Sequence, residues 1–322
     1  RRMPEGDTIF RAARTLQRAL AGHRVTRFET QYAQLARVHD DAPIIGRVVD
    51  KVEARGKHLL VHFSASIVPP PESRDGKARP IDGPVVLRTH MLMSGSWHIY
   101  RVGERWMRSS LDARIVLGTD TFVAVGFAVP VAEFIVGQPA DDDESIARLG
   151  PDLLSPEFDA AEAERRLATN GRPTVAEALL DQTALAGIGN VFKSELLFLA
   201  RLWPFTPPAD VTAAQWSKLV RDARVLLRAN VLDPNETGVL TYRGHRRTTG
   251  RSNPAERVYV YGRQGRPCRR CGSAIALRHH GEHNRSTYWC PKCQAAPTAA
   301  DAAAVTDGRG DAVPRAQPRE HR

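Results

Sequence analysis

The N-terminal segment spaces its apolar residues as a helix with one buried face would. These residues recur every three or four positions: Ile9, Ala12, Ala13, Leu16 and Leu20. Pro4 suits the first turn of such a helix, because its missing N–H group would have no partner there. Gly22 follows the last periodic residue and is a common helix terminator. The pattern therefore predicts a helix over residues 4–22.

Residues 23–137 change to short segments rich in valine, isoleucine and aromatic residues, with turn residues between them. The segments read HRVTRFET, IIGRVVDKVEA, KHLLVHF, VVLRTHM, SWHIYRV, ARIVLGT and TFVAVGF. Such a series is typical of an antiparallel β-sandwich or barrel. Within it, residues 66–84 combine proline, glycine and charged residues without apolar rhythm, which predicts a flexible insertion between two strands.

The remainder of the chain divides into four segments. Residues 138–157 open with an acidic stretch and are expected to be a linker. Helical spacing returns at Phe158 and defines a helical domain over residues 158–256. A cysteine-bearing module follows over residues 257–294. Residues 295–322 contain no large apolar residue except valine, so they predict a disordered tail. The chain as a whole is expected to be of the α+β class.

Composition and charge narrow the possible functions. The chain has 322 residues, of which 42% are hydrophobic, so it is long enough for two or three folded domains. It has no run of eighteen apolar residues and no apolar secretory signal, so we expect a cytoplasmic protein. Its net charge is +10, and residues 241–293 alone carry twelve arginine or lysine residues against two glutamates. Concentrated charge of this kind indicates a polyanionic partner, or else an arginine-rich solvated face.

The four cysteines lie within 26 residues as two Cys-x-x-Cys pairs: Cys268, Cys271, Cys290 and Cys293. Four thiolates so spaced suit a tetrahedral Zn²⁺ ion. The segment between the pairs has a strand–turn–strand pattern, so the cysteines predict one structural zinc that holds a β-hairpin rigid. A rubredoxin-like iron centre is the alternative. Three histidines of this segment are expected to be solvated or to face phosphate rather than to bind metal: His279, His280 and His283.

A glycine-rich turn joins two predicted helices at Gly187, Gly189 and Asn190. Glycines in a turn leave backbone N–H groups exposed, and a helix beginning at or just after Asn190 would present more of them. A helix N-terminus of this kind binds anions, so the turn is a candidate phosphate site. An ordinary turn between packed helices is the alternative.

Several motifs occur together in one order along the chain. They read MPEGD at 3–7, ARGKHLL at 54–60, LDQTALAGIGNVFKSE at 180–195, VYGR at 260–263 and NRSTYWCPKCQ at 284–294. In this combination the chain resembles the formamidopyrimidine-DNA glycosylase/endonuclease VIII family over residues 3–294. The resemblance implies an N-terminal catalytic β-sandwich domain over 1–137, a helix-two-turn-helix DNA-binding domain over 158–256, and a zinc-finger hairpin over 257–294.

The resemblance also implies roles for individual residues. Pro4 corresponds to the N-terminal proline that attacks the sugar, and Glu5 to the glutamate that assists it as acid or base. Lys57 corresponds to a lysine that contacts the phosphodiester beside the lesion. Asn190 and Arg285 correspond to the residues that hold the phosphates flanking the flipped nucleotide.

The nucleophile must be an amine, so the residues before Pro4 matter. Arg1 and Arg2 precede Met3. We interpret Met3 as the initiator, whose removal exposes the amine of Pro4. An α-amine has a pKa of about 8 against about 10.4 for lysine, so more of it is unprotonated near neutral pH.

Substrate choice depends on the residues that fill the gap left by the damaged base. In the purine-specific branch an Arg-Arg-Phe loop fills this gap, but VAVGFAVP at 123–130 has no arginine at the matching place. Only Met93 matches an intercalating residue. The chain thus resembles the endonuclease VIII-like branch, which favours oxidised pyrimidines, hydantoins or single-stranded lesions over 8-oxoguanine.

We therefore expect a monomeric, bifunctional DNA glycosylase/AP lyase of the bacterial nucleoid. It would remove oxidised bases from duplex or single-stranded DNA through a Schiff base on Pro4 and cleave the strand by β/δ-elimination. A family member that only binds damaged DNA would instead retain Arg1 and Arg2. A zinc-ribbon transcription factor would explain the cysteines and the charge but not the PEGD and RGKHLL motifs.

Overall fold

The computed structural model describes residues 4–64, 83–231, 247–251 and 253–297. The predicted insertion at 66–84 and the predicted tail at 295–322 lie almost wholly outside the described residues. No helix in the described part of the chain is both long and apolar enough to span a membrane.

The N-terminal helix α1 spans Gly6–Leu20. It is shorter than the helix predicted over residues 4–22. The sequence predicted Pro4 in the first turn, but in the structure Pro4 lies before the helix. Glu5 occupies the N-cap in an extended conformation and Pro4 precedes it. The helix ends before Gly22, whose φ of 80° turns the chain towards the first strand. The predicted apolar face is buried against the β-sandwich.

Eight strands form two antiparallel four-stranded sheets, which confirms the predicted sandwich. In chain order they are β1 (Arg27–Thr30), β2 (Val49–Arg55), β3 (His58–Phe63), β4 (Val85–His90), β5 (Ser96–Arg101), β6 (Ala113–Gly118), β7 (Phe122–Phe127) and β8 (Val131–Val136). One sheet has the order β1-β6-β7-β5 and the other β2-β3-β4-β8. The core between them is mainly aliphatic but includes Phe28, Phe63 and Trp97, and α1 packs on it, chiefly against β2. The helix α2 (Ala33–Asp41) lies between β1 and β2 in the chain.

The segment after the sandwich leads into a helical domain. There, the short helix α3 (Glu144–Ala147) packs Ile146 against the outer face of the second sheet. The domain contains α4 (Ala160–Thr169), the single turn α5 (Val175–Ala178), α6 (Asn190–Ala200) and α7 (Ala213–Val231). α6 begins at Asn190 as predicted. Phe10 of α1 packs against the apolar core of the helical domain, so the sandwich domain and the helical domain share a packed junction.

The C-terminal module is the predicted hairpin. Strands β9 (Ala276–His280) and β10 (Arg285–Trp289) pair in antiparallel register, with Arg285 opposite His280. β10 lies against α6, and Trp289 packs with Trp203 and Phe205 of the helical domain. The hairpin is therefore anchored to the helical domain rather than to the sandwich.

Candidate active site

The site forms where two glycine turns from different domains meet. The Gly6 N–H donates to the Gly187 carbonyl at 2.9 Å. A Cβ on Gly6 would lie 2.9 Å from Gly187 Cα, and one on Gly189 would lie 2.4 Å from Glu5 Cγ. Real Cβ atoms essentially never come so close. The glycines of the PEGD and GIGN motifs are therefore needed for the close approach of the two turns.

Glu5 is buried and binds the N-terminus of α6. Its carboxylate accepts backbone N–H groups from Gly189 at 3.1 Å, Val191 at 2.8 Å and Phe192 at 3.2 Å. A negative charge at a helix N-terminus is favourable, so this contact stabilises the domain junction. The sequence predicted that backbone N–H groups of this turn would bind a phosphate. The N–H groups of Gly189, Val191 and Phe192 instead bind Glu5 and are not free to bind DNA.

A cleft of about 250 Å³ opens beside this junction and gathers four of the predicted residues. Pro4, Lys57, Asn190 and Arg285 all line it. They come from the N-terminal segment, the β2–β3 turn, the start of α6 and the start of β10. Glu5 lies behind the cleft rather than in it. The fold therefore brings together a candidate nucleophile and three candidate phosphate contacts from both domains and the hairpin.

The turn that carries Lys57 is held by a carboxylate that sequence reasoning missed. Gly56, with a φ of 58°, donates its N–H to Asp152 Oδ2 at 2.6 Å. Burial raises the pKa of Asp152, and backbone N–H bonds from Leu154 and Gly56 oppose the shift. Asp152 also bridges to Ala186 in the turn before α6. No motif identifies Asp152, because its contact is with a backbone N–H distant in sequence.

Two half-buried histidines flank the same turn and were not predicted. The rings of His58 and His90 lie 5.0 Å apart in an edge-to-face arrangement. Burial and neighbouring positive charges lower the pKa of His58 to about 3 and that of His90 to about 4. Lys57 is among the charges that act on His90. Both imidazoles are therefore neutral at physiological pH.

Asn190 and Arg285 present their polar groups differently. Asn190 is buried, and its Oδ1 accepts a bond from Lys193 Nζ at 3.3 Å. The amide group then has its two N–H donors available. Arg285 is exposed on the hairpin. The cleft therefore receives a buried amide and an exposed guanidinium, both hydrogen-bond donors, from neighbouring elements.

The four cysteines form a site that fits zinc. The sulfur atoms of Cys268, Cys271, Cys290 and Cys293 all lie within 4.8 Å of one another. Ideal tetrahedral coordination with Zn–S bonds of about 2.3 Å places sulfurs about 3.8 Å apart. Backbone N–H groups of Arg270 and Cys293 point at the sulfurs of Cys268 and Cys290, each at 3.4 Å. The donor set therefore suits a closed structural ion.

The hairpin histidines divide into two groups. His279 and His283 are exposed, as predicted. His280 is partly buried, with Nε2 2.6 Å from Thr287 Oγ1 and Nδ1 3.9 Å from Glu177 Oε2. Burial, followed by nearby positive charge, lowers its pKa to about 4. His280 is therefore mostly buried by contacts within the hairpin and with α5, although it also lines the cleft.

Met93 lies outside the cleft, on the β4–β5 turn. It is 49% exposed and follows the equally exposed Leu92. The stretch 123–130 requires a correction, because Val125 and Phe127 are buried within β7. Only the connection 128–130 joins β7 to β8, and Ser94 Oγ donates to the Ala128 carbonyl at 3.2 Å. Most of the residues at which a gap-filling loop was sought are therefore buried in β7, and only residues 128–130 form a connection.

This combination of sandwich, helical domain and cysteine hairpin around one cleft defines the class of protein. Residues 3–125 match the formamidopyrimidine-DNA glycosylase N-terminal domain, and residues 149–240 match the formamidopyrimidine-DNA glycosylase H2TH domain. The chain belongs to the formamidopyrimidine-DNA glycosylase/endonuclease VIII family, whose members are DNA glycosylases and AP lyases of base excision repair.

Two relatives and one solved structure illustrate the similarity. The chain is 38% identical to a probable endonuclease 8 2 of Streptomyces coelicolor, over 92% of this chain and 95% of the relative. It is 36% identical to the DNA-(apurinic or apyrimidinic site) lyase Nei2 of Mycolicibacterium smegmatis, over 91% and 100%. A Lactococcus lactis Fpg (MutM) complex with DNA containing an oxidized pyrimidine has the same fold, with a TM-score of 0.71, 19% identity and coverage of 91% and 100%.

Proposed function

We propose that this chain is a bifunctional DNA glycosylase/AP lyase that uses the amine of Pro4 as its nucleophile. The observation that carries the proposal is the cleft in which Pro4 lies beside Lys57, Asn190 and Arg285. The family relationship supports the reaction class, and the flipped nucleotide and its phosphates are proposed to contact these residues in the cleft.

The reaction begins when the Pro4 nitrogen attacks C1′ of the damaged nucleotide. A C–N bond forms, the glycosidic bond breaks, and the base leaves with its bonding electrons and takes up a proton. Loss of the nitrogen proton and opening of the sugar ring give an iminium ion. The iminium acidifies the C2′ proton, whose removal expels the 3′ phosphate, and a second elimination releases the 5′ side. Water then hydrolyses the iminium and frees Pro4.

Glu5 serves this chemistry from a fixed position. Three backbone N–H groups hold its carboxylate at the start of α6, adjacent in sequence to Pro4. A carboxylate so held favours the cationic iminium electrostatically and assists ring opening and elimination as an acid or base. Because it is held on both oxygens, it also fixes the backbone that carries Pro4.

Three side chains are proposed to hold the DNA. Lys57 contacts the phosphate beside the lesion, and Asn190 and Arg285 contact the flanking phosphates. Extruding a base from the stack costs a few kcal/mol, which contacts of this kind offset. The zinc ion supplies no step of the reaction. When bound by its four cysteines, it keeps the hairpin and Arg285 in place.

We further propose oxidised pyrimidines or hydantoins as substrates. The 128–130 connection that would fill the gap in duplex DNA is short and has no arginine. Two exposed apolar residues, Leu92 and Met93, are the side chains of the neighbouring turn that are available for insertion. Both relatives described above carry endonuclease 8 or Nei2 names, which supports the same branch.

The nucleophile is tested by trapping the iminium. Protein that begins at Pro4, verified by mass, should form a covalent adduct with abasic-site DNA under borohydride, because reduction makes the C–N bond permanent. Pro4→Gly and a form that retains residues before Pro4 should lose most of the adduct. An adduct of undiminished yield in a form blocked at Pro4 would move the nucleophile to another amine. Tight binding without any adduct would identify a DNA-binding protein that performs no chemistry.

A further inference from the structure

A lysine next to the site is fully buried and has a complete set of hydrogen-bond partners. Lys193 lies on α6, and its residue exposure is 0%. Its Nζ donates to Thr287 Oγ1 at 2.7 Å, to the Ser286 carbonyl at 2.9 Å and to Asn190 Oδ1 at 3.3 Å. An ammonium group has three N–H donors, so each is matched by one acceptor.

These acceptors belong to the two elements that carry the proposed phosphate contacts. Asn190 is itself such a contact, and Ser286 directly follows Arg285 on β10. Thr287 continues the chain of contacts to His280 on β9, and His280 reaches Glu177 on α5. One ammonium group therefore connects the start of α6 to the hairpin at the point where both reach the cleft.

The surroundings do not suit the other roles that a lysine could have. With no exposed surface and three acceptors on its Nζ, Lys193 cannot approach C1′ as a nucleophile. Stability alone does not explain a buried charge here, because its desolvation costs free energy and apolar residues of similar volume often stabilise a junction as well or better. A buried ammonium here is better explained by a need to fix the direction of Asn190 and Arg285.

We propose that Lys193 is a positioning residue that fixes Asn190 and Arg285 relative to each other, and that DNA binding is thereby coupled to its protonation. The inference rests on the proposed function, because it takes Asn190 and Arg285 as phosphate contacts. It assigns to Lys193 no contact with DNA.

The charges around Lys193 determine the direction of this coupling. Burial lowers the pKa of Lys193 to about 7, Glu5 and Glu177 act to raise it, and Arg285 acts to lower it. His280, from β9, has a pKa lowered to about 4 and is neutral above that pH. When a phosphate binds Arg285, the repulsion between Arg285 and Lys193 decreases, so DNA should raise the pKa of Lys193. The complex therefore takes up protons just above pH 7.

The test is calorimetric titration of the zinc-loaded protein with a duplex containing a tetrahydrofuran abasic-site analogue, which the lyase cannot cleave. Titrations at about pH 7.5 in buffers of different ionisation enthalpy give the number of protons taken up. We expect proton uptake by the wild type, and an affinity that falls by up to about tenfold per pH unit above 7. Lys193→Met should bind more weakly and lose this part of the uptake.

Two variants complete the design. Lys218→Met removes an exposed lysine of α7 that pairs with Asp222, and should retain the uptake of the wild type. Lys193→Arg keeps a charged donor group that does not titrate, and should bind DNA without this uptake. It also serves as the test if Lys193→Met does not fold.

The outcomes separate this inference from the proposed function. A wild type that binds the duplex with the same proton uptake as the Lys193 variants overturns the role of Lys193 and leaves the nucleophile unaffected. A wild type that does not bind the duplex overturns the proposed function and this inference with it.

Discussion

At the scale of single residues, Glu5 caps α6 and Lys193 joins α6 to the hairpin, so two buried polar side chains organise the surroundings of the cleft. The sequence predicted Pro4, Lys57, Asn190 and Arg285 as site residues, and the structure brings all four to one cleft. It could not show that Glu5 caps α6, because the partners are backbone groups more than 180 residues away. Nor could it identify Lys193, because a lysine in a helix is ordinarily solvated.

Glu5→Gln should reduce base excision more than cleavage of a preformed abasic site. Protonation of the sugar ring is needed to form the iminium during excision, whereas an abasic site can open its ring without enzyme. The amide would also direct an N–H group at the α6 N-terminus, which costs about 1–3 kcal/mol of stability. Single-turnover rates on both substrates measure the effect, with the exposed Glu157→Gln as a control. An equal loss of the excision rate and of the abasic-site cleavage rate would show that Glu5 positions the site and does not act as an acid or base.

At the scale of elements, periodicity found those with one strongly buried face. It predicted α1, whose apolar residues share one buried face, and the apolar segments of the sequence predicted α6 and seven strands, several of which are buried on both faces. It missed the helix α2 (Ala33–Asp41), in which only Leu35 is buried. It also missed β8 (Val131–Val136), whose burial pattern is irregular. β7 was predicted as a strand, but its residues from Val123 onward were also matched to a DNA-facing loop, because composition does not show where a buried strand ends and an exposed turn begins.

Removing zinc should abolish tight DNA binding without altering the proline nucleophile. The cysteine end of the hairpin buries few apolar residues, so without the ion only the contacts of β10 with α6 and with Trp203 and Phe205 would hold the strand that carries Arg285. Cys290→Ser or chelation should lower the affinity for abasic-site duplex by at least about tenfold, measured by fluorescence anisotropy beside zinc content. Added zinc should restore the chelated protein but not the variant. Unchanged affinity and lesion preference after verified metal loss would show that the hairpin does not clamp DNA.

At the scale of the whole molecule, the two domains and the hairpin are organised around one junction. The PEGD turn and the GIGN turn contact each other directly, and Asp152 and Lys193 extend this contact to the Lys57 turn and to Arg285. The nucleophile and the proposed phosphate contacts are thus placed by backbone groups and buried polar side chains. The β4–β5 turn, with the exposed Leu92 and Met93, is not part of this junction, and it is the turn proposed to fill the gap in a duplex.

Met93→Ala should slow excision from duplex DNA more than excision from single strands. A base removed from a duplex leaves an orphaned partner, and unstacking costs a few kcal/mol unless a side chain fills the gap. Met93 is half exposed on the turn beside the 128–130 connection, and its thioether suits insertion between bases. Single strands have no orphaned base, so excision from them should depend less on Met93.

Single-turnover rates on matched duplex and single-stranded oligonucleotides with an oxidised pyrimidine provide the measurement. Met107→Ala, at an exposed methionine outside this turn, is the control. We expect a loss of about tenfold on the duplex, corresponding to about 1.4 kcal/mol, and little change on the single strand. Equal losses on both substrates, or a wild type that prefers duplex 8-oxoguanine paired with cytosine, would contradict the assignment of this turn and of the branch.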